Sequence, residues 1–350
     1  MFRMFVIRLL LASAFTFYST IFAFGAAVLV NDEVQALRDI AKKLENTKWN
    51  FSVKPCSGQD PWIEDSKNNV TCDCNFLNGT VCHVVSIVLK EQNLPGTLPR
   101  ELVKFPYLQQ IDLTRNYLNG TIPPEWGSMQ LINISLLGNR LTGSIPKELG
   151  NITTLKSLVL EFNKLSGSLP EELGNLIHIE RLHLTSNNFT GEIPETFAGL
   201  TNLTEFRISD NQFSGKIPDF IQNFSNLQDL RIQASGLNGP IPLGIASLRK
   251  LSDLRVSDIR GPEADFPRLR NMTNMKTLIL RSCNITGRLP EYLGLGAMDN
   301  LKTLDLSFNK ITGAIPSNYI GTLERVQFIY LAGNLLSGPV PDWMLKRNNM

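Results

Sequence analysis

Apolar positions along this chain recur at an interval far longer than a helix or strand period. The segment from Leu108 to Pro123 reads LQQIDLTRNYLNGTIP, and that from Leu155 to Pro170 reads LKSLVLEFNKLSGSLP. Both follow L-x-x-L-x-L-x-x-N-x-L-x-G-x-[IL]-P. The Asn position of this frame, here called the anchor, falls at Gln92, Asn116, Asn139, Asn163, Asn187, Asn211, Ser235, Ile259, Cys283, Asn309 and Asn334, in steps of 23 to 26 residues. Alternation in the L-x-L stretch predicts a short strand with one face inward and one outward. The anchor follows where the chain turns inside the coil, so its amide can satisfy backbone groups that the turn leaves unpaired. A Gly two residues past the next Leu permits close approach or positive φ. The I-P or L-P step predicts an extended, non-helical backbone across the next face.

Eleven such units specify an α/β leucine-rich-repeat solenoid with a parallel sheet on its concave face. No unit buries its apolar edge alone, so residues 84–350 form one cooperative stack, although 350 residues would ordinarily suggest two domains. At the anchor, Cys283 substitutes a small weak donor for Asn and reads as a buried structural thiol. Ser235 is a partial substitute, and Ile259 cannot hydrogen-bond at all. Its unit also lacks the G-x-[IL]-P step, which predicts a local irregularity between Ile259 and Arg270.

Residues 28–83 read as an N-terminal cap, since an exposed solenoid edge is open to pairing. A helix is predicted over 31–47 with Asn31 or Asp32 as N-cap, and Val34, Leu37, Ile40, Ala41 and Leu44 on one face. Cys56, Cys72, Cys74 and Cys82 read as two disulfides pinning that cap. Three pairings are formally open; a Cys72–Cys74 bridge would be strained, and Cys56–Cys72 with Cys74–Cys82 is preferred. The first loop would contribute roughly 3 kcal/mol. At the other end the chain stops at WMLKRNNM, inside its final unit, which reads as a truncated or uncapped solenoid.

Residues 1–27 read as a signal peptide, with Arg3 and Arg8 ahead of an apolar run and Ala23, Gly25 and Ala27 as small residues for cleavage. An uncleaved anchor is the competing reading. Eleven N-x-S/T sequons point to a glycosylated extracellular protein: Asn50, Asn69, Asn78, Asn119, Asn133, Asn151, Asn188, Asn202, Asn223, Asn271 and Asn284.

Charge changes the picture by exclusion. Thirty-four basic against 32 acidic residues give a net +2, which excludes nucleic-acid binding driven by bulk charge. A hydrophobic share of 43% excludes a disordered chain. His83, His178 and His183 are the histidines. The last two are five apart with a strand between, a poor metal pair, and no G-x-S-x-G motif is present. Neither catalysis, a cofactor nor a metal is expected.

The runs LTGSIPKELGNIT and FSGKIPDFIQNFS resemble the plant-specific leucine-rich repeat. NNVTCDCNFLNGTVCHVVSIVLKEQNLPGTLP resembles the cap of plant receptor-like kinases whose ectodomains pair such repeats with a malectin-like domain. The resemblance implies the extracellular recognition region of a receptor, on the outer side of the plasma membrane or in the apoplast. It also implies a peptide, glycan or protein ligand and a co-receptor ectodomain as partners. Such receptors continue into a malectin-like domain, one membrane span and a Ser/Thr kinase. The chain holds no glycine-rich phosphate loop, H-R-D or D-F-G, so kinase activity would belong to those other parts. The alternatives are a secreted inhibitor of cell-wall hydrolases similar to polygalacturonase-inhibiting proteins, which close with a C-terminal disulfide cap that this chain lacks, or a truncated decoy.

Outward strand positions are where recognition is expected. Four residues before successive anchors stand Arg207, Arg231 and Arg255, each with an acid two residues upstream (Glu205, Asp229, Asp253). This is either a self-neutralising ladder or a recognition stripe. Phe308, Phe328 and Tyr330 are expected on the concave face of the last two strands, as a docking patch or as a surface that a following domain covers. A glycan on Asn133 would obstruct the early strands. The expected ligand face is therefore Arg181, His183, Arg207, Arg231, Arg255, Phe308, Phe328 and Tyr330.

Overall fold

Every L-x-L stretch forms a strand of one 13-stranded sheet in the computed structural model of the chain, which describes residues 27–57, 62, 67–294, 298–317, 319 and 326–345. The signal peptide expected over 1–27 lies outside the described residues except for Ala27. The strands are β1 (Val28–Leu29), β2 (Asn68–Phe76), β3 (Val81–Leu89), β4 (Gln110–Asp112), β5 (Asn133–Ser135), β6 (Ser157–Val159), β7 (Arg181–His183), β8 (Glu205–Arg207), β9 (Asp229–Gln233), β10 (Asp253–Ser257), β11 (Thr277–Arg281), β12 (Thr303–Asp305) and β13 (Phe328–Tyr330). From β3 to β13 there is one strand per unit, paired in parallel and in chain order. The central residues Ile111, Ile134, Leu158, Leu182, Phe206, Leu230, Leu254, Leu278 and Leu304 stand in register and are at most 1% exposed. Burying each contributes on the order of 1.5–3 kcal/mol.

The anchors bridge neighbouring coils. The Asn116 amide donates to Leu89 O (2.7 Å) in the preceding coil and Leu113 O (2.9 Å) in its own, and its carbonyl accepts from the Gln92 and Leu94 amides. Asn139, Asn163, Asn187, Asn211, Asn309 and Asn334 repeat the two donations. Cys283 imitates them with its thiol, which lies 3.4 Å from Val256 O and 3.2 Å from Arg281 O. It is free, and burial pushes its pKa up. Ser235 reaches only the amide of Leu237 in its own coil (3.3 Å). The amide of Phe213, whose counterparts use an Asn carbonyl, turns instead to the backbone oxygen of Ser235.

The step after the glycine differs from the expectation of an extended face. Each Pro is extended, as Pro146 at φ −63°, ψ 134°, but a 3₁₀ turn follows at once. Such turns occupy Lys147–Asn151, Glu171–Asn175, Glu195–Gly199, Asp219–Asn223 and Leu243–Ser247. The extended backbone ends at the Pro because Pro, with its φ locked near −65°, is itself the N-cap of the turn. A second, four-stranded sheet (Thr142–Gly143, Lys164–Gly167, Asn188–Gly191, Gln212–Phe213) runs along the flank between strand and Pro. Its glycines, such as Gly143 at φ +78°, lie where a Cβ would be strained.

The irregularity expected between Ile259 and Arg270 is present. This unit has no 3₁₀ turn, and a short strand (Ala264–Asp265) pairs along the flank with Ile285–Thr286 of the next unit. Tyr292 fills the defect: its hydroxyl donates to Pro267 O (2.8 Å) and accepts from the Leu269 amide (3.1 Å), and burial raises its pKa to about 12.

In the cap, helix α1 spans Asn31–Lys43 and its N-cap is Val30, without a side-chain cap; Asn31 and Asp32 lie inside the first turn. The carboxylate that caps of this kind would use belongs to Glu33, which is 1% exposed and reaches across to β3, where it meets the Val84 amide (2.8 Å) and His83 Nδ1 (2.5 Å). The helix stops short of 47 because Glu45 is left-handed (φ 54°), and the Asn46 and Glu45 amides return to Ala41 O and Lys42 O in a Schellman closure. Disulfides join Cys56 to Cys72 and Cys74 to Cys82. The cap boundary set after residue 83 falls within β3, which carries β2 along one edge and β1 and β4 on the other.

Replacing Asn139 by Ala is expected to destabilise the chain by about 1–3 kcal/mol, because a buried amide bridging two coils is lost. Ser235→Ala is expected to cost clearly less. Chemical denaturation of the two variants checks the ranking; equal losses would contradict the bridging role.

Candidate functional site

The parallel register places residues four before each anchor side by side, so Val159, His183, Arg207, Arg231, Arg255 and Ile279 form one column on the concave face. Strands about 4.8 Å apart would bring three guanidinium groups into mutual repulsion. The acids two residues upstream prevent this. Arg207 contacts Glu205 and Asp229, both at 2.8 Å. Arg231 contacts Asp229 at 2.9 Å and Asp253 at 3.6 Å, and Arg255 contacts Asp253 at 2.7 Å. The three arginines expected to meet a ligand are thus half-buried and have their charge engaged within the sheet.

His183 departs further from the expectation of a ligand contact. It is 6% exposed, with Nε2 2.9 Å from Glu205 and Nδ1 3.6 Å from Glu161. Burial alone would lower its pKa, but the two carboxylates outweigh this and raise it above 6.5. Burial likewise opposes ionisation of Glu161, yet His183 and Arg207 hold it below 4.5. Glu205 is lowered mainly by His183. His183 closes the ladder and stays inside it. Arg181, two residues earlier in β7, is exposed and makes no ion pair among the described residues.

Of the aromatic patch, Phe328 and Tyr330 project from β13 and are 54% and 50% exposed. Phe308 lies beyond β12, in the turn, at a left-handed φ of 59°, and the Arg281 guanidinium packs 4.7 Å above its ring. Sequence reasoning missed the conformation of the column to which it belongs, one residue before each anchor. The residue before the anchor is left-handed in unit after unit, among them Phe162, Ser186, Asp210, Ala234, Asp258 and Phe308. Glycines at 138 and 333 in that column were the available signal. This rim borders a concave cleft of about 490 Å³ between Phe162, Arg207, Asp210, Arg231, Asp258 and Arg281. Among the described residues, the carboxylates of Asp210 and Asp258 meet the hydroxyls of Ser186 (3.3 Å) and Ser257 (2.6 Å) and no cation.

Among the sequons, Asn133 begins β5 on the concave sheet, while Asn151 and Asn223 end 3₁₀ turns on the opposite side. Asn202, Asn223, Asn119 and Asn284 brace the coil before their own, each donating its amide to a carbonyl there. Among the described residues no three His, Cys, Asp or Glu converge to hold a metal, and no helix is long and apolar enough to cross a membrane.

Comparison with known proteins places this geometry. The Leucine-rich repeat region family matches residues 142–265, and the Leucine Rich Repeat family matches 107–129, 274–295 and 300–321. A probable leucine-rich repeat receptor-like serine/threonine-protein kinase of Arabidopsis thaliana is 55% identical over 166 residues, covering 45% of this chain and 15% of the relative. Another from the same plant is 50% identical over 337 residues, covering 93% of this chain and 32% of the relative. The chain thus spans a third or less of the length of these relatives. Among solved structures, PEPR1–AtPEP1 superposes with a TM-score of 0.72 at 28% identity, over 90% of this chain and 47% of that one. The Arabidopsis receptor kinase HAESA, in complex with the peptide hormone IDA and the co-receptor SERK1, superposes with a TM-score of 0.63 at 30% identity, over 75% and 47%.

The shifted groups predict a stability window. His183, raised, contributes stability that is full below 6.5 and is lost as pH rises through its folded pKa. Glu161 and Glu205, lowered, contribute stability present above 4.5 and lost as pH falls through theirs. The melting-temperature deficit of His183→Gln should therefore be greatest between these limits and shrink towards alkaline pH. Scanning fluorimetry in half-unit pH steps checks this; a deficit independent of pH would contradict the ladder.

Proposed function

We propose, from the premise that this chain belongs to the leucine-rich-repeat family, that it is the extracellular ligand-recognition region of a plant receptor-like kinase. The observation that carries the reading is the concave sheet, continuous from β3 to β13, with Phe328 and Tyr330 half-exposed at its late end. A solved neighbour described as a plant peptide hormone receptor, RGFR1, and the HAESA complex with the peptide hormone IDA support a peptide as ligand, and the co-receptor SERK1 in the latter supports a co-receptor as second partner. Residues 1–27 act as the signal peptide, 28–83 as the cap and the remainder as the binding solenoid. The sequon asparagines carry glycans on the outer side of the plasma membrane. The cap run supports the subgroup with a malectin-like domain.

The ion-paired arginines shift the binding chemistry towards the rings. Apolar anchoring by Phe308, Phe328 and Tyr330 leads, because half-exposed aromatic groups gain most from being covered. Arg181 supplies a free cation, and Arg207, Arg231 and Arg255 act by holding the surface flat and neutral.

The test is a screen of the purified chain against synthetic peptides of the secreted-hormone class, by interferometry. A bound peptide should lose affinity about tenfold on Phe328→Ala or Tyr330→Ala, with the melting temperature unchanged. A peptide indifferent to both changes but lost on Val159→Glu, in an early strand, would put the site at the other end.

A further inference from the structure

A second recessed surface lies away from the concave sheet. A cavity of about 1630 Å³ opens on the flank where the chain passes from the second sheet to the 3₁₀ turns, between the units anchored at Asn187 and Ile259. Two features of the sequence create it. Regular units put polar residues on either side of the I-P step: Ser144 and Lys147, Ser168 and Glu171, Glu192 and Glu195, Lys216 and Asp219. The unit anchored at Ser235 has Pro240 and Leu243 at those two positions, and Leu243 is 81% exposed. The next unit lacks the 3₁₀ turn that would continue the row, so Pro262 and Phe266 form the far wall instead.

Leu243 adds almost nothing to the core at that exposure, and a charged residue there would suit the fold equally well, as Glu195 and Asp219 show. The rim of the cavity carries Glu192, Glu195, Asp219 and Asp265 against Lys216 and Arg268. That is four carboxylates to two cations, a surplus of two, and none of the six makes an ion pair among the described residues. No sequon asparagine lines it. The carboxylate surplus disfavours an anionic lipid surface and favours a cationic partner.

We propose that this flank is a docking groove for an extended, basic segment of another protein, which seats an apolar side chain on Pro240 and Leu243 and sets Lys or Arg against Asp219 and Asp265. Its chemistry differs from that of the concave face, where the rings lead and the charges are spent, so the chain can hold two partners at once.

The probe is a random ten-residue phage library selected on the immobilised full chain, with recovered peptides remade and measured by fluorescence anisotropy. Peptides with an apolar residue flanked by Lys or Arg are expected. Leu243→Asp and the double change Asp219→Lys, Asp265→Lys should each weaken them about tenfold without moving the melting temperature, while Tyr330→Ala leaves them unchanged. Recovery of no peptide, of peptides without the basic pattern, or of peptides sensitive to Tyr330→Ala and not to Leu243→Asp would overturn the proposal. So would sedimentation showing self-association that Leu243→Asp abolishes, since the groove would then serve a second copy.

Discussion

A solenoid coil must turn inward after its strand, and the turn strips hydrogen bonds from backbone groups that face no water. In this chain a side-chain amide supplies them, and because it spans to the preceding coil it also sets the stacking distance. Asn116, Asn139 and Asn163 show the rule, and Cys283 shows its limit, since its thiol sits between the same two coils but has one hydrogen to give where an amide has two. At Ser235 and Ile259 the rule lapses: the backbone oxygen of Ser235 accepts from the Phe213 amide, and its hydroxyl oxygen accepts from the Leu237 amide. The departures from the regular coil gather there: the missing 3₁₀ turn, the plugging hydroxyl of Tyr292 and the recessed flank beside Leu243. A break in the polar ladder thus frees the surface geometry of the coils around it.

The same regularity creates the electrostatic problem of the concave face. Parallel strands in strict register repeat any charged position at the strand spacing, so a column of arginine is self-repelling unless neutralised in place. Glu205, Asp229 and Asp253 do this, and His183 with Glu161 ends the row. Neutralisation leaves a rigid polar floor whose charges are engaged. Recognition then falls to what the floor leaves uncovered, the rings at the late strands and the left-handed rim.

Concave face and flank are therefore complementary products of one repeat. The first is built from positions where every coil agrees, and its apolar exposure comes from the last strands. The second is built where one coil disagrees with its neighbours, and the carboxylates on its rim make no ion pair among the described residues.

The repeat period, the strand register and the identity of the inward column were all legible in the sequence, because a solenoid coil touches only its immediate neighbours and local spacing is its architecture. The pairing of columns from Val88 to Tyr330 follows from counting back four residues from each anchor. Charge state did not follow from counting. Whether Arg231 meets solvent or Asp229 depends on side-chain reach across strands, and whether His183 is exposed depends on carboxylates from two other coils. The helix cap went the same way: Asn31 fitted the local rule, but Glu33 was drawn off to a strand fifty residues away, and Val30 took the cap position. Spacing along the chain decided what repeats. Contacts between coils decided which of the repeated side chains remain free to bind.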